Sequence, residues 1–166
     1  AGVYNKVGNS LISKPQDLLN MLVRKPGDFE RLITKVATYD TPFVPKELME
    51  GYEKIHVTHL VEQEKLMNAL IEQMKWTKPD TFQMGLRSME APTLVIWGDK
   101  DAVIDVGVVE ELKEHLKYEE VLILKDVGHT PILEADYPVS EASLKFLAKA
   151  QATPNKFAPA PAAVKP

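Results

Sequence analysis

The sequence contains no cysteine, which excludes disulfide bonds, thiolate zinc sites and a cysteine nucleophile. It has no apolar run near the roughly 18 residues that a membrane-spanning helix needs. Positive charge is not in excess, since the formal net charge is −4, and no cluster of lysine and arginine favours nucleic acid or an anionic membrane surface. The lack of cysteine fits a cytoplasmic or membrane-associated protein better than a disulfide-forming extracellular one.

What is present is an ordinary globular composition, with 45% hydrophobic and 27% charged residues in a chain of 166 that is long enough to bury a core. The sequence pattern divides this chain into three regions. Residues 1–90 have helical periodicity, and residues 91–150 alternate between strand-like and helix-like segments. Residues 151–166 are rich in proline and alanine and have no periodic apolar pattern, so a disordered tail is expected there.

In the first region, three segments are predicted to be helices, and none alternates in the manner of a strand. One helix follows Ser13 with Pro15 in its first turn, another begins at Asp28, and a long one covers residues 46–74. All 6 methionines lie in this region. Their flexible side chains suit an adaptable pocket for an acyl chain, whereas ordinary helix packing is the plainer interpretation.

The second region has the pattern of a β-α-β unit. Residues 93–97 and 120–124 are short, apolar runs of the kind found in strands that are buried on both faces. Between them, residues 106–116 are predicted to form a helix with Asp105 as its N-cap, and residues 139–149 form a final helix. This order predicts a parallel pair of strands. Two parallel strands alone do not make a stable sheet, so neighbouring strands are expected from outside these segments.

Two polar residues follow the predicted strands. Asp101 comes shortly after the first strand, and His129 lies in a short loop after the second, preceded by Gly128. Sites in open α/β sheets form at the carboxyl ends of strands, where a carboxylate can orient an imidazole that acts as a general base. The order of the two residues along the chain is that of the acid and the base in a Ser…Asp…His hydrolase triad. Asp99, which suits the turn, and Asp105 compete for the role of the acid.

Other candidate residues carry weaker signals. The spacing of His56 and His59 is compatible with a metal site, although a solvated helix face is the simpler explanation. His115 is near the end of its helix, where its charge suits the helix dipole. The segment around Ser10 resembles a nucleophile elbow, but it lacks the final glycine and no buried strand precedes it. Ser10 is therefore rejected as the nucleophile.

These motifs resemble the α/β-hydrolase superfamily, and within it the bacterial lipases related to monoacylglycerol lipases. Residues 91–101 are similar to the block in which the family has its acid, and residues 128–131 are similar to its histidine loop, with a glutamate like Glu134 soon after. The proline-bounded segment at residues 42–45 is similar to part of the family's helical cap. The resemblance covers most of the chain and is most specific in the second region.

The resemblance implies a partial α/β-hydrolase fold, with a helical cap or lid over residues 1–90 and the last two parallel strands with their helices within residues 91–150. It implies that Asp101 is the acid and His129 the general base of an enzyme that hydrolyses carboxylic esters, acylglycerols and other lipids included, through an acyl-enzyme. It implies no metal and no organic cofactor.

By the same resemblance, the nucleophilic serine and the oxyanion-hole donors belong to a half of the fold that is absent from this chain. The chain alone is therefore expected to be inactive, because the members of a triad act as a unit. The expected partners are an ester or lipid substrate and a complementary N-terminal half, which is either a separate chain or missing. A domain-swapped homo-oligomer is another way to cover the open sheet. No nucleic acid is expected as a partner. Haloalkane dehalogenase, epoxide hydrolase or carbon–carbon bond hydrolase chemistry, and a non-catalytic binding fragment, remain the alternatives.

Overall fold

The computed structural model describes residues 15–76 and 80–152 of the chain. The helix cap at Ser13 and the rejected nucleophile Ser10 fall outside these ranges. The tail predicted over residues 151–166 also falls outside them, except for its first two residues, which are helical and not disordered as predicted. Within the described ranges, no helix is both long enough and apolar enough to cross a membrane.

The described part of the first region begins with short helical segments. A 3₁₀ helix covers Pro15–Met21, and helix α1, Asp28–Leu32, continues directly into a π-helical turn over Ile33–Ala37. Gly27, which precedes α1, has a φ angle of 88°, a left-handed conformation that glycine adopts without a steric penalty. The change of direction before α1 therefore depends on this glycine.

The long helix predicted over residues 46–74 is divided into two. Helix α2 covers Lys46–Thr58 and helix α3 covers Leu60–Trp76, and a further helix, α4, follows over Thr81–Ser88. The break is at His59, whose backbone leaves the helical region with φ −102° and ψ 21°. The two residues before the break are β-branched, which weakens helical preference at this point.

The second region contains the sheet. Strand β1, Thr93–Gly98, pairs in parallel with strand β2, Glu119–Leu124, and Val95 lies opposite Val121 in the register. Helix α5, Val108–His115, makes the connection between them. The predicted parallel pair is confirmed, and among the described residues the sheet has these two strands.

Helix α5 packs on one face of this sheet and forms the core of the second region. The buried members of that core are Val95, Val108, Val109 and Leu116. The helix begins later than the predicted residue 106, and the prediction that Asp105 is its N-cap is wrong. The Oδ1 atom of Asp105 instead accepts the N–H of Gly107 at 2.8 Å, so its carboxylate stabilises the turn that leads into the helix.

After β2 the chain forms two helices. The short helix α6, Pro131–Glu134, was not predicted, although proline suits its first position because its φ angle is already that of a helix. Helix α7, Asp136–Ala152, begins before the predicted residue 139. Pro138 is tolerated there because it lies in the first turn, where its missing N–H has no helical partner to lose.

Candidate active site

Asp101 is held at the carboxyl end of β1 by the turn that follows it. The Oδ1 atom of its carboxylate accepts the N–H of Val103 at 2.8 Å and the N–H of Ile104 at 2.9 Å. The side chain of Asp101 is only 3% exposed, and a carboxylate so buried needs partners of this kind. These two bonds fix the rotation of the carboxylate and leave Oδ2 as the acceptor for another residue.

The loop that carries His129 crosses the end of β1 at very close range. The carbonyl oxygen of Val127 accepts the N–H of Lys100 at 2.9 Å. A Cβ atom at Gly98 would lie 2.2 Å from that oxygen and 2.3 Å from the carbonyl oxygen of Gly128. Only glycine at position 98 leaves room for the loop, so the end of β1 and the histidine loop form one packed unit.

Asp101 and His129 meet at this edge of the sheet. The Nδ1 atom of His129 lies 2.9 Å from the Oδ2 atom of Asp101, and the His129 side chain is 33% exposed. With the carboxylate as acceptor, Nδ1 carries the proton, and Nε2 of the neutral ring is the nitrogen that can accept one. A buried acceptor beneath a partly exposed imidazole is the arrangement that a general base requires.

Asp99, the first competitor for the role of the acid, has a different function in the structure. Its Oδ1 atom accepts the N–H of Asp126 at 2.7 Å, and its Oδ2 atom lies 3.2 Å from Nζ of Lys100. Partial burial opposes ionisation of this carboxyl, but the hydrogen bonds from Lys100 and from the backbone of Asp126 outweigh it and lower the pKa of Asp99. Asp99 therefore ties together the turns that follow β1 and β2.

Glu134 contributes contacts to the site that the sequence pattern did not reveal. Its Oε1 atom accepts the N–H of Gly128 at 2.9 Å, and its Oε2 atom accepts the N–H groups of Tyr39 and Asp40 at 2.8 and 3.0 Å. The only sequence signal was its position shortly after the histidine. Glu134 thus connects the histidine loop with the helical region.

The other three histidines lie in helices or at a helix break, outside the pair formed by Asp101 and His129. The ring of His56 stacks on Phe29 with centroids 5.3 Å apart, and His115 lies 3.6 Å from the carboxylate of Glu111 in the same helix. His59 stands at the break between α2 and α3. Among residues 15–76 and 80–152, no group of three or more histidine, aspartate or glutamate side chains is placed to hold a metal ion.

A surface cleft lies away from this site. Its lining includes Pro92, Glu119 and Phe146. Pro92 precedes β1 and Glu119 begins β2, so the cleft is at the amino ends of the strands, opposite to Asp101 and His129. It is therefore no part of the candidate active site.

Curated relatives of this chain carry lipase names. Lipase 3 from Moraxella sp. (strain TA144) is 29% identical over 115 residues, which are 69% of this chain and 35% of the relative. Monoacylglycerol lipase ABHD6 from Mus musculus is 25% identical over 165 residues, which are 94% of this chain and 48% of the relative. No protein-family model matches the chain.

A solved structure is similar over almost the whole chain. The crystal structure of a presumed lipase from Acinetobacter baumannii AYE superposes with a TM-score of 0.86 and 36% sequence identity, covering 92% of this chain and 51% of that one. The chain thus spans about half of this structure and half or less of the curated relatives.

Proposed function

We propose a function for the complete protein. The premise is that this chain is the C-terminal part of an α/β-hydrolase related to lipases and monoacylglycerol lipases, which the fold and the comparisons both indicate. The complete protein hydrolyses carboxylic esters of lipids. Within it, Asp101 and His129 are the acid and the base of a Ser–His–Asp triad. The observation that carries this proposal is the 2.9 Å contact between Nδ1 of the partly exposed imidazole and Oδ2 of the buried carboxylate.

The chemistry follows from that pair. Asp101 holds the tautomer of His129 in which Nε2 accepts the proton of the serine hydroxyl as the oxygen attacks the ester carbonyl. The imidazolium that forms in this step then protonates the leaving alcohol, which departs and leaves an acyl-enzyme. A water molecule, deprotonated by Nε2, releases the fatty acid and restores the serine.

The remaining parts of the machinery are assigned to the rest of the complete protein. The serine and the backbone N–H groups that stabilise the oxyanion are provided by a preceding half of the hydrolase fold. The helical region up to residue 90 forms the cap above the acyl chain. Supporting this assignment, the stretch Ala37–Asp40 in that region contacts the histidine loop through Glu134.

The test is to treat the complete protein with a serine-directed fluorophosphonate and to map the labelled peptide. We expect one labelled serine outside residues 15–152, together with hydrolysis of a monoacylglycerol. His129→Ala should abolish both the labelling and the hydrolysis, whereas His59→Ala, which changes an exposed histidine at a helix break, should leave both unchanged. Undiminished labelling of the His129→Ala variant would contradict the proposed triad.

A further inference from the structure

The two residues on either side of His129 are both tied to one short stretch of the helical region. We call Ala37–Asp40 the stem segment, because it leads from the π-helical turn toward α2. On one side of His129, the N–H of Gly128 is bound by Oε1 of Glu134, whose Oε2 binds the N–H groups of Tyr39 and Asp40. The carboxylate of Glu134 thus bridges the histidine loop and the stem segment.

On the other side of His129, Thr130 makes a second connection to the same stretch. Its N–H and its Oγ1 both donate to the carbonyl oxygen of Ala37, each at 3.0 Å. The stem segment is itself anchored, because the buried Thr38 donates its Oγ1–H to the carbonyl oxygen of Ile33 at 2.8 Å. The residues on both sides of His129 are therefore connected by hydrogen bonds to the stem segment, which is itself anchored.

The histidine loop has little room to move against this support. A Cβ atom at Gly128 would lie 2.7 Å from the backbone N of Tyr39 and 2.9 Å from the carbonyl carbon of Thr38. A real Cβ does not approach backbone atoms so closely. The backbone next to His129 is thus in direct packing contact with the stem segment.

We propose that Glu134 is a positioning residue for the base: its ionised carboxylate joins the stem segment to the histidine loop and so fixes where the imidazole of His129 stands. This inference rests on the proposed function. Glu134 acts through its hydrogen bond with the N–H of Gly128, the residue that precedes His129.

The carboxylate is suited to this task because it is an acceptor at both oxygens. Three backbone N–H groups converge on it, and bonds from N–H donors to an ionised acceptor are about twice as strong as neutral ones. An amide of the same shape has one oxygen and one NH₂ group. In Glu134→Gln, the NH₂ group must face either Gly128 or the stem segment, so one side of the bridge becomes a contact between two donors.

The test compares Glu134→Gln with Glu141→Gln in the complete protein. Glu141 lies on the exposed surface of α7, where it pairs with Lys145, so its variant controls for the loss of one negative charge. For Glu134→Gln we expect kcat to fall by about tenfold to a hundredfold, because a misplacement near 1 Å is enough to cause such a loss. KM should change little, and the proton resonance of His129 Nδ1–H should shift or broaden.

The outcomes separate this inference from the proposed function. Normal kcat in Glu134→Gln, while His129→Ala is inactive, would overturn the positioning role and leave the triad intact. A loss of kcat that is fully explained by unfolding, with an unchanged Nδ1–H resonance in the folded fraction, would also overturn it. A higher kcat in Glu134→Asp than in Glu134→Gln would support it, because aspartate keeps both acceptor oxygens.

Discussion

The Nδ1 atom of His129 lies 2.9 Å from Oδ2 of Asp101, although the two residues are 28 positions apart in the chain. The other oxygen of the same carboxylate accepts two backbone N–H groups, from Val103 and Ile104. One aspartate therefore has its two oxygens divided between the turn that fixes it and the imidazole that it orients. Because each oxygen has a different partner, the effect of replacing Asp101 by asparagine on the imidazole can be predicted.

Asp101→Asn should reverse the tautomer of His129. The two N–H groups at Oδ1 require the oxygen of the new amide, so its NH₂ group must face His129, and Nδ1 then has to accept instead of donate. The proton moves to Nε2, which can no longer act as a base. We expect kcat for ester hydrolysis by the complete protein to fall by about three to four orders of magnitude.

Asp99→Asn is the matched control for that substitution, since Asp99 also stands after β1 but contacts the turn after β2 instead of the imidazole. It should retain most of the activity in the same steady-state assay. A larger loss in Asp99→Asn than in Asp101→Asn would transfer the role of the acid to Asp99.

Local patterns were sufficient to predict both strands and the residues that follow them. Apolar β-branched runs are distinctive over a few residues, and polar residues that follow parallel strands meet at one edge of the sheet. Three aspartates follow β1 closely, and the sequence left open which of them pairs with the histidine. That choice depends on the path of the turn, in which Asp101 is buried while Asp99 and Asp105 bind nearby backbone N–H groups.

The contacts of Glu134 lay beyond such reasoning. Its partner Tyr39 is 95 positions away, and the contact joins a carboxylate to a backbone N–H group, which every residue except proline has. No residue type in the helical region could therefore reveal it. The break at His59 was missed because the apolar periodicity of the sequence continues on both sides of it.

Asp99 should contribute to stability in a pH-dependent way. The hydrogen bonds from Lys100 and the backbone of Asp126 lower its pKa in the folded protein below the ordinary 3.8. A carboxyl whose pKa is lowered on folding stabilises the folded state above its unfolded pKa, and that contribution is lost as the pH falls through the folded pKa. We expect Tm of the parent protein to exceed that of Asp99→Asn at neutral pH.

The same comparison, repeated by thermal denaturation below about pH 4, should find that the Tm difference shrinks. Lys100 stays charged throughout this range, because its ordinary pKa of 10.5 lies far above it and the hydrogen bond with Asp99 raises that pKa further. A Tm difference that stays constant into strong acid would mean that the ionised form of Asp99 adds nothing to stability.

Gly98→Ala should destabilise the protein, because the new Cβ would fall 2.2 Å from the carbonyl oxygen of Val127. The obstructing atoms belong to the backbone of the histidine loop and cannot rotate away. We expect a loss of about 1–3 kcal/mol or more in the free energy of unfolding, measured by urea denaturation of the complete protein. Gly51→Ala is the control: a Cβ there meets nothing within 4 Å, and alanine in a helix should add about 1 kcal/mol. Equal effects at the two glycines would refute the close packing at the end of β1.

The outer edge of β1 offers a test of the partial fold. The N–H of Thr93 donates to the carbonyl oxygen of the residue just before β2, and the N–H of Asp99 donates to that of the last residue of β2. The alternation of a parallel ladder therefore directs the N–H groups of Leu94 and Ile96 to the opposite edge. Within the described residues no strand lies at that edge. In the complete protein a neighbouring strand should pair there, because parallel sheets are covered and extended on both sides. We therefore expect the amides of Leu94 and Ile96 to exchange with deuterium as slowly as that of Val95, which faces β2.

Residue-resolved hydrogen exchange by NMR distinguishes the two edges within one strand, so Val95 is an internal control for local unfolding. If all three amides are protected, β1 is an interior strand, and the sheet continues into the part of the hydrolase to which the serine is assigned. Fast exchange at Leu94 and Ile96 beside a protected Val95 would leave β1 as an edge strand. The serine would then have to be brought to His129 by something other than a strand paired with β1, and the proposed continuation of the sheet would fail.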